Sequence, residues 1–221
     1  MRSPEQSAEG ERPERRIIAR VTNNTPVREQ LLAAAMAAIE SGGEDGVRID
    51  QISTTVGVTK SSIYHYFGSR DGMIVAAQTA RYHRAAIDSA SLRARIRACA
   101  DRDEFAAMMH DFVGSLSDEA ARDRRRTRIS VLGSAASRPE LAAVVVDYEQ
   151  RTAAEFGEVL RIAEDRGWTT GRFSAEQVVL WWQSMFIGRN MIDMIDDPTT
   201  TDTWSEIAAT AFLAVLFAEP D

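Results

Sequence analysis

The sequence predicts an all-α protein in two parts: an N-terminal three-helix domain with a helix-turn-helix, joined to a larger C-terminal helical bundle. Three observations lead there. Apolar residues recur at helical spacing through most of the 221 residues, and no strand-like alternation beside turn dipeptides competes. Two short segments with that spacing meet at Gly57, the layout of two helices crossing at a sharp turn. Helix starts and stops at Thr25-Pro26, Gly42-Gly43, Pro139, Gly167, Gly171 and Asp197-Pro198 cut the chain into helix-length pieces.

Residues 1–24 lack apolar periodicity and are rich in Glu, Arg, Ser and Pro, so they read as a flexible arm. Its Arg12, Arg15, Arg16 and Arg20 are interleaved with Glu9, Glu11 and Glu14, which weakens any role in holding an anion. Thr25 and Pro26 supply a cap and a proline at the first helical position. Leu31, Leu32, Ala35 and Ile39 give that helix a buried face, and Gly42-Gly43 ends it. Ile49, Ile52 and Val56 mark a second helix. Gly57 is the residue able to take a left-handed backbone, and Ile63 and Phe67 resume a helical face beyond it. Ser69 caps a connecting helix that runs to about residue 90. Further helices are expected at 103–116, 119–136, 139–166, 174–195 and 203–218. The domain limits that follow are 1–24, 25–70 and 71–221.

The helix after Gly57 carries the functional signal. With Ile63 inward and about 100° per residue, Phe67 falls beside it, Ser61 and His65 point nearly opposite, and Lys60, Ser62, Tyr64 and Tyr66 flank them. Thr59 is placed to cap the first turn. Hydroxyls, a lysine and a tyrosine at the positive end of a helix suit a phosphate-lined groove and base edges, so double-stranded DNA is the expected partner. Arg48, ahead of the second helix, is placed for a phosphate contact. Tyr66, about 60° from the core direction, suits both packing and phosphate contact. Lys60 is the one lysine beside 25 arginines, and it sits on this helix.

The run from Leu31 through Ile74 resembles the DNA-binding domain of the tetracycline-repressor (TetR) family of transcription regulators. The resemblance rests on GVRIDQI, on GVTKSSIYHYF with its YxYF ending, and on the FGSRDGMI junction. Ser53 and Val56 stand where that family usually has alanine, and Arg70 where lysine is commoner. The resemblance implies DNA contacts from Arg48, Thr59, Lys60, Ser61, Ser62, Tyr64, His65, Tyr66 and Arg70. It also implies a homodimer on a palindromic operator, a repressor, and a C-terminal domain that binds an effector and dimerises.

Charge fits two heads better than one. The net charge is −7 overall. Residues 1–90 hold 11 basic and 11 acidic side chains, leaving 15 and 22 for residues 91–221, so the acidity lies in the second part. A neutral head gains little from phosphate neutralisation by itself.

In the C-terminal part, Phe105, Met108, Met109 and Phe112 fall on one helix face, and Trp181, Trp182, Met185 and Phe186 crowd another. With Tyr148 they are candidates to line a pocket for a small, mainly apolar effector, some subset of them forming the wall while ordinary core packing is the reading for any one residue taken alone. The last two helices carry more apolar surface than one bundle needs. Val178, Trp182, Phe186, Ala208, Phe212 and Val215 are the candidate dimer interface.

Other features are negative. Cys99 is alone, so no internal disulfide or cysteine-rich metal site is available. No apolar run of about 18 residues appears, and acids and arginines occupy the N-terminus, so the expected location is the cytoplasm with no membrane partner. His110-Asp111 matches the metal-binding dipeptide of some hydrolases, but only His65 and His83 accompany it. No enzyme activity, metal or cofactor is expected. The run Arg122, Arg124, Arg125, Arg126, Arg128 reads as a solvated face paired with Asp118, Glu119 and Asp123. A regulator of the same fold without a small ligand is the alternative reading.

Overall fold

The computed structural model describes residues 25–85, 89–195 and 197–218, and within them every regular element is helical. The arginines of the predicted arm lie outside the described residues. The elements are α1 Thr25–Gly42, α2 Ile49–Val56, α3 Lys60–Phe67, α4 Arg70–Arg84, α5 Ser89–Ala98, α6 Arg102–Ser115, α7 Glu119–Ala135, α8 Pro139–Asp165, α9 Ala175–Ile195 and α10 Pro198–Leu216. A 3-10 turn, Glu44–Gly46, follows α1. The chain forms two compact units that divide after Ala77, inside α4.

Two boundaries differ from expectation. The connecting helix stops at Arg84, and a separate helix, α5, follows. Its periodicity, Leu92 and Ile96, is too short to stand out in sequence. The last helix starts at Pro198 rather than residue 203, because Asp197 accepts from the Thr200 amide at 2.9 Å and Pro198 needs no amide partner.

In the first unit, α1 packs on α2 and α2 on α3. Leu31, Ala35, Val47, Ile52, Ile63, Met73 and Ile74 are buried. Each such aliphatic side chain contributes about 1.5–3 kcal/mol when withdrawn from water. Gly57 ends α2 at φ 75° and accepts no side chain without strain. Gly72 answers a different demand. A Cβ there would lie 2.1 Å from the Phe67 carbonyl oxygen, which explains the glycine in FGSRDGMI.

In the second unit α8 packs against α5, α7 and α9, α9 also packs on α10, and α10 lies along α6. Phe105, Met109, Val113, Leu160, Val178, Val179, Ala208 and Phe212 form its core. The Arg166 guanidinium, beyond α8, donates to the carbonyls of Cys99 and Arg97 at 3.0 and 3.2 Å. It thereby serves the unsatisfied end of α5, where a cation is favoured.

The arginine run on α7 is not a solvated face. Arg125 is fully buried, donating from Nε and Nη2 to the two Asp193 oxygens at 2.6 and 2.8 Å and from Nη1 to the Leu116 carbonyl. Arg189, equally buried, donates to Asp193 Oδ1 at 3.2 Å and stacks over Trp204. Burial alone would raise Asp193, but the hydrogen bonds and charges of Arg125 and then Arg189 hold it below the usual carboxylate range. Burial lowers Arg189 below the ordinary guanidinium value, against the hydrogen bond and charge of Asp193. Arg126 keeps the expected kind of pairing, 3.8 Å from Asp123 on the exposed side.

Candidate nucleic-acid interface and C-terminal cavity

The candidate reading helix is α3, and its orientation follows from one buried residue. Ile63 is fully buried, which turns Ser61, Tyr64 and His65 to solvent, with Tyr64 48% exposed. Thr59 caps the helix as its spacing predicted, its Oγ1 accepting from the Ser62 amide at 3.2 Å. Lys60 and Thr59 are also exposed, whereas Ser62 and Tyr66 are half-buried. Tyr66 makes edge contacts with His65 and Phe67, and the Arg28 guanidinium from α1 lies 5.6 Å from the centre of the Phe67 ring. The carboxy-terminal end of α3 is therefore held by rings, leaving its first turns to face a ligand.

Two charged positions behave differently from expectation. Lys60 Nζ lies 2.5 Å from Asp50 Oδ1 of α2. Its hydrogen bond to that carboxylate, then the charge, raises the ammonium above its ordinary value. The cation of the reading helix thus carries its own counter-charge. Arg70 donates from Nε to the Val47 carbonyl at 2.8 Å and from Nη2 to the Glu44 carbonyl at 2.5 Å. Its fork closes the loop before α2, which gives this exposed arginine a structural role beside the expected phosphate contact. Arg48 is exposed at the start of α2, on the rim of a shallow groove with Asp50, Gln51 and Arg70.

The second unit contains an apolar cavity of about 60 Å³. Met109, Phe112, Trp182 and Phe186 line it as anticipated. Leu92, Arg128, Thr152, Phe156, Leu160, Val179, Gln183 and Phe212 complete the wall and were not anticipated there. Phe105, Met108, Tyr148, Trp181 and Met185 are not part of it. Phe105 is fully buried against Trp168 and Phe217, Tyr148 packs on Tyr82 and His83, and Trp181 stacks on Phe212. Behind the cavity, Glu149 accepts from Arg128 Nη2, from Tyr82 Oη at 2.5 Å and from Gln183 Nε2 at 3.3 Å. Burial, then the hydrogen bond to Glu149, raises the Tyr82 phenol well above its ordinary value.

The expected interface residues also face inward. Val178, Phe186, Ala208 and Phe212 are buried in the intramolecular core, and Trp182 and Val215 pack against it. The apolar surface of these helices is a different set: Leu180, Ile187, Met191, Met194 and Ile195 on α9 and Ile207 on α10. Met191 and Met194 are 75% and 85% exposed, so this stripe has no cover among the described residues. Among the described residues no group of three or more His, Cys, Asp or Glu side chains is placed to hold a metal ion. His110 is exposed, 3.8 Å from Asp111. No helix among the described residues is long and apolar enough to cross a membrane.

Residues 31–77 match the family model of bacterial regulatory proteins of the tetR family. The HTH-type transcriptional regulator BetI of Yersinia pestis (strain Pestoides F) is 34% identical over 83 residues, covering 34% of this chain and 42% of that protein. The chain thus matches under half the length of this curated relative. The fold as a whole is similar to solved structures. A tetR-family transcriptional regulator from Mesorhizobium loti superposes with a TM-score of 0.65 at 19% identity, covering 87% of this chain and 97% of that one. A transcriptional regulator from Saccharomonospora viridis in complex with choline gives 0.62 at 15% identity, covering 86% and 96%.

Proposed function

We propose, from the match of residues 31–77 to the family model of bacterial regulatory proteins of the tetR family, that this chain is a cytoplasmic repressor that binds a palindromic operator as a homodimer and is released by a small, mainly apolar effector. The observation that carries the proposal is the exposed face of α3, where Lys60, Ser61, Tyr64 and His65 stand opposite buried Ile63. Thr59 and Arg48 flank that face as further phosphate contacts.

Two copies are favoured on electrostatic grounds. The first 90 residues are neutral, 11 basic against 11 acidic, and Lys60 is already paired with Asp50. A single head therefore gains little from counterion release, and twofold symmetry doubles the contacts on a palindrome. The uncovered stripe of α9, with Ile207 of α10, is the surface through which a second copy would bury apolar area. It differs from the interface expected from sequence, of which Val178, Phe186, Ala208 and Phe212 are buried within the chain and Trp182 and Val215 are half-buried.

The cavity is where the effector would bind. About 60 Å³ is less than half of the roughly 150 Å³ that admits a benzene-sized molecule, so binding requires the walls to move. That requirement can couple occupancy to shape, and the coupling is limited to the effector's preference between the two states. The same small volume favours a second reading, a regulator of this fold that takes no small ligand.

The test is selection of bound fragments from the source genome with the purified full-length protein, followed by the Lys60→Ala, Tyr64→Ala double variant on the recovered site. A symmetric site and a loss of about tenfold or more with unchanged helicity are expected. Unchanged affinity at moderate salt would displace α3 as the reading helix.

A further inference from the structure

The cavity's wall is apolar except at one end, where Arg128, Thr152 and Gln183 meet it. Arg128 is the one charged residue of the lining, and no carboxylate faces the space. Its counter-ion, Glu149, is outside the lining and is already engaged by Arg128 Nη2, Tyr82 Oη and Gln183 Nε2. Arg128 is nonetheless incompletely satisfied. Its Nε is buried and has no acceptor among the described residues. A buried charged donor without an acceptor is unfavourable, and the planar guanidinium can serve a second oxygen group at Nε while Nη2 keeps the first.

Taking the cavity as the effector site, as proposed above, we infer that the effector is a carboxylate with an apolar, preferably aromatic, body. The carboxylate accepts from Arg128 Nε, and the body lies among Phe112, Phe156, Trp182 and Phe186. A charge-assisted hydrogen bond to an anion is stronger than one to a neutral acceptor, and its gain rises where water is excluded. A cation finds no such partner. The regulator from Saccharomonospora viridis holds choline, but in this chain the one charged residue of the lining is an arginine and no carboxylate faces the space, so a quaternary ammonium gains from the aromatic walls alone.

The experiment is calorimetric titration of the full-length protein with phenylacetate, phenethyl alcohol and phenethylammonium, which share one body and differ in head charge. Phenylacetate is expected to bind about tenfold or more tightly than the alcohol, and the ammonium most weakly. In Arg128→Met, Glu149→Gln, which removes both charges so that neither is left unpaired, the carboxylate should lose its advantage while the alcohol is unaffected. A thermal melt of that variant shows whether it folds, and the comparison of three heads on the unaltered protein stands without it. Binding of the alcohol that is abolished by filling the cavity with Leu160→Trp, with no preference for phenylacetate, overturns the carboxylate and leaves the effector site in place. Tighter binding of the ammonium overturns it in the same way. Binding of none of the three at millimolar concentration overturns the effector site as well.

Discussion

Replacing Asp193 by alanine should be among the more damaging single changes in the second unit. Asp193 is 8% exposed and accepts from Arg125 at 2.6 and 2.8 Å and from Arg189 at 3.2 Å, while both arginine side chains are 1% exposed. The substitution leaves Arg125 only the Leu116 carbonyl and Arg189 only the Thr201 carbonyl at 3.4 Å. Two guanidiniums would remain in the core without a counter-charge. Removing one partner of a buried pair costs about 3–5 kcal/mol, and here the lost carboxylate serves two buried cations, with the less buried Arg122 3.9 Å away as a third, which favours the upper end. For a unit of this size that lowers the melting temperature by roughly 6–20 °C. Urea denaturation followed by far-ultraviolet circular dichroism measures it directly. Asp193→Asn, which keeps the shape and removes the charge, should fall between. Asp147→Ala provides the contrast, because its pair with Arg151 at 2.7 Å is 65% and 62% exposed and should matter by no more than about 0.5 kcal/mol. The pH dependence has a fixed sign. The folded-state value of Asp193 is depressed, so its contribution is complete above the ordinary carboxylate value of about 3.9 and is lost as pH falls from there through the lower folded value. The gap between wild type and Asp193→Ala should narrow over that window. A loss below about 1 kcal/mol at neutral pH would refute the account of a charge-compensated buried cluster.

The other predictions concern DNA, the first unit and assembly. Asp50→Asn should release Lys60 from its 2.5 Å pair and strengthen DNA binding at low salt, with the salt dependence steeper by about one phosphate contact; an unchanged slope would mean that the pair persists on DNA or that Lys60 touches no phosphate. Arg70→Ala should lower the stability of the first unit by about 1–3 kcal/mol through its lost bonds to Val47 and Glu44, and a weaker salt slope without a stability change would leave it as a phosphate contact alone. Gly72→Ala should cost about 1–3 kcal/mol or more, because its Cβ meets the Phe67 carbonyl at 2.1 Å; a wild-type melt would show that the junction relaxes freely. Met191→Glu with Leu180→Glu should leave the fold intact, since these side chains are 75% and 60% exposed, and should give monomers in sedimentation; a persistent dimer would place the interface elsewhere. Phe212→Glu, by contrast, should unfold the second unit, because Phe212 is buried between Trp181 and Trp182.

The division between what could be read from the chain and what could not is physical. The two short helices at Gly57, the Thr59 cap and the outward set on α3 were legible because they are local. Backbone sterics, capping and the 100° turn act within a few residues, and one inward residue, Ile63, fixes the face. The FGSRDGMI junction was legible as a pattern, although the need for Gly72 became visible only with the Phe67 carbonyl beside it. On α9 the sequence is apolar on more than one side, so periodicity carries no direction. Whether Phe186 or Ile187, or Trp182 or Leu180, faces the core depends on where α8 and α10 lie. The same holds for charge. Five arginines on α7 look alike in sequence, and only the placement of Asp193 on α9 and Glu149 on α8 turns Arg125 into a core residue and Arg128 into the polar end of a cavity. The sequence by itself determined the helical class and the outward face of α3, which follow from neighbours along the chain. Tertiary packing alone decided the cavity wall, the uncovered stripe and the buried arginines, because each depends on partners distant in sequence.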